Sequence, residues 1–174
     1  MTALQIIGAA LVVVSSSALG MYYSGLDAFR MQDLLAFRQA LTIFASEIEF
    51  VVSPLPEAMQ NVAKRIPQPV SRLFADFAAR LTDVGGETAY RLWVESIAAH
   101  KPVSYLDAED WDAIESFGKT LGYLDKPMQI NTIRHTQSYI DGKTETLRVS
   151  GDKNKRMYRS LGVVGGILLV VIFM

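Results

Sequence analysis

Residues 34–51 read LLAFRQALTIFASEIEFV, and Leu34, Phe37, Leu41, Phe44, Ile48 and Val51 recur at alternating intervals of three and four. That spacing puts all six on one face of a helix with 3.6 residues per turn, whereas a strand would need an alternation of two. A seam of this kind can face a bundle core or a second chain in a coiled coil. Coiled-coil seams usually run longer, so a core-facing bundle helix is the favoured reading.

Working outward, each neighbouring segment has its own stop and start. Ser53-Pro54-Leu55-Pro56-Glu57 ends the seam helix, and Pro56 suits the first turn of the next, Glu57 to Ile66. Pro67-Gln68-Pro69 is a second stop, after which Val70, Leu73, Phe74, Phe77 and Leu81 make one apolar stripe up to Gly85-Gly86. Glu87 to His100 carries Tyr90, Trp93 and Ile97 on one face and closes at Pro102. Asp107 can cap a helix bearing Trp111, Ile114, Phe117 and Leu121, with Gly122 at its end; Glu109, Asp110 and Asp112 suit the positive end of its dipole. Asp125 caps again with Pro127 just inside, and Met128 to Ser150 is a more polar helix marked by Ile133, Ile140 and Leu147, with a break expected near Gly142 or Gly151. No strand pattern and no internal repeat competes with this all-α reading.

The charges divide the chain. All 17 basic and 18 acidic residues lie between Asp27 and Arg159, leaving both ends uncharged and apolar. The charged stretch alone has an ordinary soluble composition. Ala3 to Tyr23 would reach about 30 Å as a helix, the thickness of a bilayer core. A cleaved signal peptide is the rival, with Ser16-Ser17-Ala18 as its cleavage site, but Met1-Thr2-Ala3-Leu4-Gln5 lacks a basic n-region and the apolar run is long. Ser160 to Met174 is shorter, about 22 Å, and becomes adequate when Met157 and Tyr158 join it and Arg159 snorkels. The expected organisation is an N-terminal transmembrane helix, 1–26, a helical domain of about six helices, 27–156, and a C-terminal transmembrane helix, 157–174. Lys153, Lys155, Arg156, Arg159 and Arg30 flank the spans on the inner side, so the domain is expected in the cytoplasm with both termini outside. Gly162 and Gly166, and Ser16, Gly20 and Ser24, are small residues one turn apart that would let membrane helices pack closely, as in a homo-oligomer.

Chemistry is sparse. The net charge of −1 disfavours nucleic acid as a partner, and the absence of cysteine removes disulfides, thiolate catalysis and Cys-ligated metals. His100 and His135 have no partner at ligand spacing. Asp107, Glu109, Asp110 and Asp112 imitate a calcium loop, but the glycine at its sixth position is missing and Gly118 falls where a bidentate acid belongs. Glu47 and Glu49 do not share a helix face, and Gly85-Gly86 is not followed by the Lys-Ser or Lys-Thr of a phosphate loop. Neither an enzyme, a cofactor nor a metal site is expected.

Five ordered motifs are more specific: Pro54-Leu55-Pro56-Glu57-Ala58; Pro69-Val70-Ser71-Arg72-Leu73-Phe74; Trp93; Phe117-Gly118-Lys119-Thr120-Leu121-Gly122 with Asp125 and Gln129; and Arg156-Met157-Tyr158-Arg159-Ser160-Leu161-Gly162-Val163 with Gly165-Gly166. Together, over nearly the whole chain, they resemble the stage III sporulation protein AB family. The resemblance implies a mother-cell membrane protein of endospore formers, in the outer forespore membrane, within the complex that links mother cell and forespore. It also implies a soluble domain similar to the inner-membrane platform protein of type II secretion and type IV pilus systems. Its partners would be the complex's ATPase, stage III sporulation protein AA, and membrane subunits of the channel. Arg156, Tyr158, Arg159, Ser160, Gly162 and Gly166 are the candidate coupling segment, with lipid anchoring as their simpler role. Asp107, Glu109 and Asp110 are a second candidate surface, for docking, against simple solvation. The alternative function is a membrane-anchored regulatory or binding domain with no ATPase partner.

Overall fold

In the computed structural model the described backbone covers residues 3–83, 86–122 and 125–173, and the described side chains are those of 25–83, 86–122, 125–149 and 151. Six α-helices follow one another, with no strand among the described residues: α1, Ala3–Ser46; α2, Leu55–Ala63; α3, Val70–Asp83; α4, Ala89–His100; α5, Ala108–Gly118; and α6, Lys126–Phe173. The chain divides into two compact units, residues 30–144 in one and residues 1–29 with 145–174 in the other. Each is described by itself.

In the first unit the seam residues Leu34, Phe37, Leu41 and Phe44 are buried as expected. Beyond Phe44 the expectation fails. Residues Glu47–Val51 form a π-helical turn, closed by the Val52 N–H donating to the Glu47 carbonyl at 2.8 Å. The wider turn shifts the register. Glu47 is therefore buried in the seam's place, Ile48 is only half-buried, and Val51 is 61% exposed. Val52, at φ 58°, is left-handed and ends the helix.

α2 begins at Leu55 with Pro56 in its first turn, two residues earlier than the sequence suggested, and buries Ala58, Met59 and Val62. α3 starts just after the second proline pair and buries Val70, Leu73, Phe74, Phe77 and Ala78. Thr88 caps α4, its hydroxyl accepting from the Arg91 N–H. The core is aromatic: Trp93 meets Phe77 at 5.0 Å, Phe74 at 5.5 Å and Phe117 at 5.7 Å between ring centroids, and its indole N–H donates to the Ile114 carbonyl. The Phe77 and Phe117 contacts are edge-to-face and the Phe74 contact is tilted; edge-to-face pairs add to the stabilisation from burial alone.

α5 ends at Gly118, a turn before the expected Leu121 and Gly122, where tighter turns take over, the Thr120 N–H donating to the Phe117 carbonyl and the Leu121 N–H to that of Gly118; the Trp93 ring fills the space beside this glycine. A Cβ on Gly118 would lie 2.0 Å from Trp93 Cδ1. Gly122, at φ +87°, then turns the chain toward α6. α6 runs through Gly142 and Gly151 without the expected break; neither glycine has a neighbour that would prevent helical packing. Ile133 and Ile140 face the core, whereas Leu147 is only half-buried.

No helix among the described residues is long and apolar enough to cross a membrane. Apart from residues 25 and 26, the two expected spans, 1–26 and 157–174, lie outside the residues whose side chains are described.

Candidate functional site

The strongest concentration of charge in unit 30–144 lies at the start of α5. Asp107 and Asp110 form a capping box: the Asp107 carboxylate accepts from the Asp110 N–H at 2.9 Å, and the Asp110 carboxylate accepts from the Asp107 N–H at 3.2 Å. Both carboxylates thus satisfy N–H groups that the first turn leaves open, at the positive end of the dipole. The sequence reading of this cluster as a helix cap holds.

Asp110, however, is not a surface group. It is fully buried, and Arg30 of α1 reaches it with both arms of its fork, Nε to Oδ2 at 2.7 Å and Nη2 to Oδ1 at 3.0 Å. Arg30 Nη2 also pairs with Asp107 Oδ2 at 2.6 Å. From α6 the Tyr139 hydroxyl donates to Asp110 Oδ1 at 3.1 Å. With the Asp107 N–H, these donors fill the acceptor capacity of a carboxylate. Burial works to raise the Asp110 carboxyl pKa, but Arg30 and the Asp107 N–H outweigh it and hold the group below the usual carboxylate range. Arg30 is held above its ordinary value mainly by its hydrogen bond to Asp110, and Tyr139 is pushed upward first by burial and then by the Asp110 charge. At neutral pH the cluster is therefore a fixed guanidinium, a fixed carboxylate and a neutral phenol.

Around this centre lies an outer layer. Lys143 Nζ pairs with Glu109 Oε2 at 2.5 Å and sits 5.6 Å from the Tyr139 ring centroid. Further along α1, Arg38 makes a two-armed pair with Asp141, and Thr42 accepts from Gln137 at 2.9 Å. As positions rise on α1, the contacted positions fall on α6, so the two helices run antiparallel within this unit. These outer contacts are exposed and worth at most about 1 kcal/mol each; the Asp110 centre is the costly one to break.

The expected site residues therefore separate. Asp107 and Glu109 lie at the surface beside the cluster, while Asp110 is its buried centre. Arg156, Tyr158, Arg159, Ser160, Gly162 and Gly166 fall on the backbone of α6, but their side chains lie outside the described residues. His100 Nδ1 lies 2.9 Å from the Ser96 carbonyl, and His135 is exposed; no acid or histidine cluster among the described residues could hold a metal ion. Sequence reasoning counted Arg30 only as a basic flank, set Glu47 aside because it shares no helix face with Glu49, and passed over Tyr139 and Lys143. The acid at the third position of α5 was the available signal for a capping box, but nothing local points to a base 80 residues away.

The model of the stage III sporulation protein AB family matches residues 5–174. The chain belongs to that family. A stage III sporulation protein AB from Bacillus subtilis (strain 168) is 29% identical over 171 residues, covering 98% of this chain and 99% of the relative. A solved structure of stage III sporulation protein AB superposes with a TM-score of 0.66 at 27% identity, over 71% of this chain and 97% of that one. The family is therefore matched along the whole chain and in its helical fold. Two of the motifs that suggested it now have a physical reason, since Gly118 is needed to seat Trp93.

Proposed function

We propose that this chain is a non-enzymatic platform subunit of the stage III sporulation channel complex. It sits in the mother-cell membrane with its helical domain in the cytoplasm and both termini outside. The domain docks the complex's ATPase, and α1 and α6 pass its position or motion to the membrane subunits. Membership of the stage III sporulation protein AB family supports the assignment to sporulation. The observation that carries the coupling role is the Arg30–Asp110–Tyr139 cluster. It ties α5 to α1 and α6, the two helices that include the uncharged terminal segments. A buried, fully satisfied ionic centre fixes the relative register of three helices within the domain more sharply than apolar packing does.

The test is co-purification of the full chain with the ATPase, stage III sporulation protein AA, from detergent-solubilised sporulating cells. Retention of both the ATPase and the membrane subunits is expected. Retention of the membrane subunits alone sinks the platform reading. Orientation is checked by cysteine labelling at Tyr90→Cys in the naturally cysteine-free chain, where labelling from outside intact cells would overturn the cytoplasmic assignment.

A further inference from the structure

The outward stripe of α2 is its own electrostatic complement. Glu57, Gln60 and Lys64 fall at i, i+3 and i+7 on the exposed face turned away from the buried Ala58, Met59 and Val62, with the half-buried Asn61, whose amide donates to Glu47, at its edge. The stripe forms one wall of an open groove of about 480 Å³ whose other wall is Ala78, Ala79 and Thr82 of α3. Short side chains on that wall let another helix come close. Glu57 and Lys64 are both exposed and make no ion pair among the described residues. They stand about 10 Å apart along the helix axis, seven residues at 1.5 Å each.

We propose that α2 docks antiparallel on α2 of a second copy of this chain across a two-fold axis, Glu57 of each copy facing Lys64 of the other. A closed two-fold interface requires a patch that complements itself after rotation. An acid near the start of a helix and a base two turns on meet this condition, because the rotation exchanges the two ends. The axis then passes between Gln60 and Asn61. The antiparallel arrangement also sets the two helix dipoles head to tail, whereas a parallel one would oppose like charges.

The area argues for a contact that extends past α2. Stable dimers bury about 800 Å² per partner, more than two helical turns supply. Immediately before α2, Phe50 is 80% exposed and Val51 and Val52 are each 61% exposed. The two-fold brings this apolar lip alongside the Lys64 and Arg65 end of the other copy, whose aliphatic stems and cations suit an aromatic face.

The absence of cysteine makes the test direct. In the full chain in detergent micelles, Gln60→Cys places a thiol beside the axis, and Asp112→Cys on the exposed side of α5 is the control. Mild oxidation should cross-link the Gln60→Cys chain into a dimer and leave the control monomeric. Adding Glu57→Lys or Lys64→Glu should each lower the cross-linked fraction at least several-fold, and the double reversal should restore it, with helicity by circular dichroism unchanged throughout. Cross-linking no greater than the control overturns the proposal. So does a double reversal no better than the singles, or a Gln60→Cys cross-link formed with a different protein in place of a second copy.

Discussion

Asp110 is a charged group that folding takes wholly out of water. It tolerates this because Arg30, Tyr139 and the Asp107 N–H supply the hydrogen bonds that solvent would have made. Asp110→Asn keeps the shape but leaves the Arg30 guanidinium with only the half-exposed Asp107 as counter-charge, and should cost about 2–3 kcal/mol in chemical denaturation. The acid limb follows from the same contacts. The folded carboxyl has a lower pKa than the unfolded one. Its contribution is therefore complete above the ordinary carboxylate range and is lost as pH falls through the depressed folded value. Unfolding free energy should decline below about pH 4, and the slope should be shallower in Asp110→Asn. At Gly118, alanine would force its methyl into the Trp93 ring; a loss of about 2 kcal/mol or more is expected, with a blue- or red-shifted Trp fluorescence reporting the displaced indole.

Among the helices, glycine has opposite meanings at two places. Gly142 sits inside α6, where a methyl group would meet open space. Gly142→Ala should raise stability by about 0.5–1 kcal/mol, since it removes backbone freedom from the unfolded chain without adding a clash; a drop in stability would show that α6 needs to bend there. The composition of α6 suggested a break at its glycines, but one well-placed helix of high length tolerates isolated glycines when the turns on either side are held, here by Tyr139, Asp141 and Lys143. α1 presents the reverse case. Its regular spacing continues to Val51, yet the helix opens into a π turn at Glu47, where the carboxylate accepts from Ser53 Oγ at 3.0 Å and Asn61 Nδ2 at 3.4 Å. Satisfying a polar group from the following loop and α2 outweighs the burial of one valine.

For the whole molecule, the prediction concerns the junction with the terminal segments. Exchange of Arg156 and Arg159 for Glu should lower sporulation while leaving the folded domain intact, because both positions fall outside unit 30–144. Wild-type spore counts in that variant would contradict the coupling proposal. Helix number and most boundaries were legible because prolines, caps and a 3.6-residue apolar period are local signals: Pro56, Asp107 and Asp125 act at the helix starts where they stand, whereas the Thr88 cap of α4 went unread in a helix expected from Glu87. The buried centre of the candidate site was legible only in half. A capping box can be read from four adjacent residues, but a guanidinium arriving from another helix cannot.

By itself, the sequence determined the all-helical class, the confinement of charge to residues 27–159, the family resemblance and the α5 cap. Each of these rests on neighbours in the chain or on composition. Only the tertiary structure decided that Arg30 closes on Asp110, that Gly118 makes room for Trp93, that Glu47 displaces Val51 from the core, and that Glu57 and Lys64 face outward. The reason is the same in each case: these outcomes depend on which distant groups arrive at a point in space and on whether they satisfy or exclude one another, and chain spacing carries no record of that.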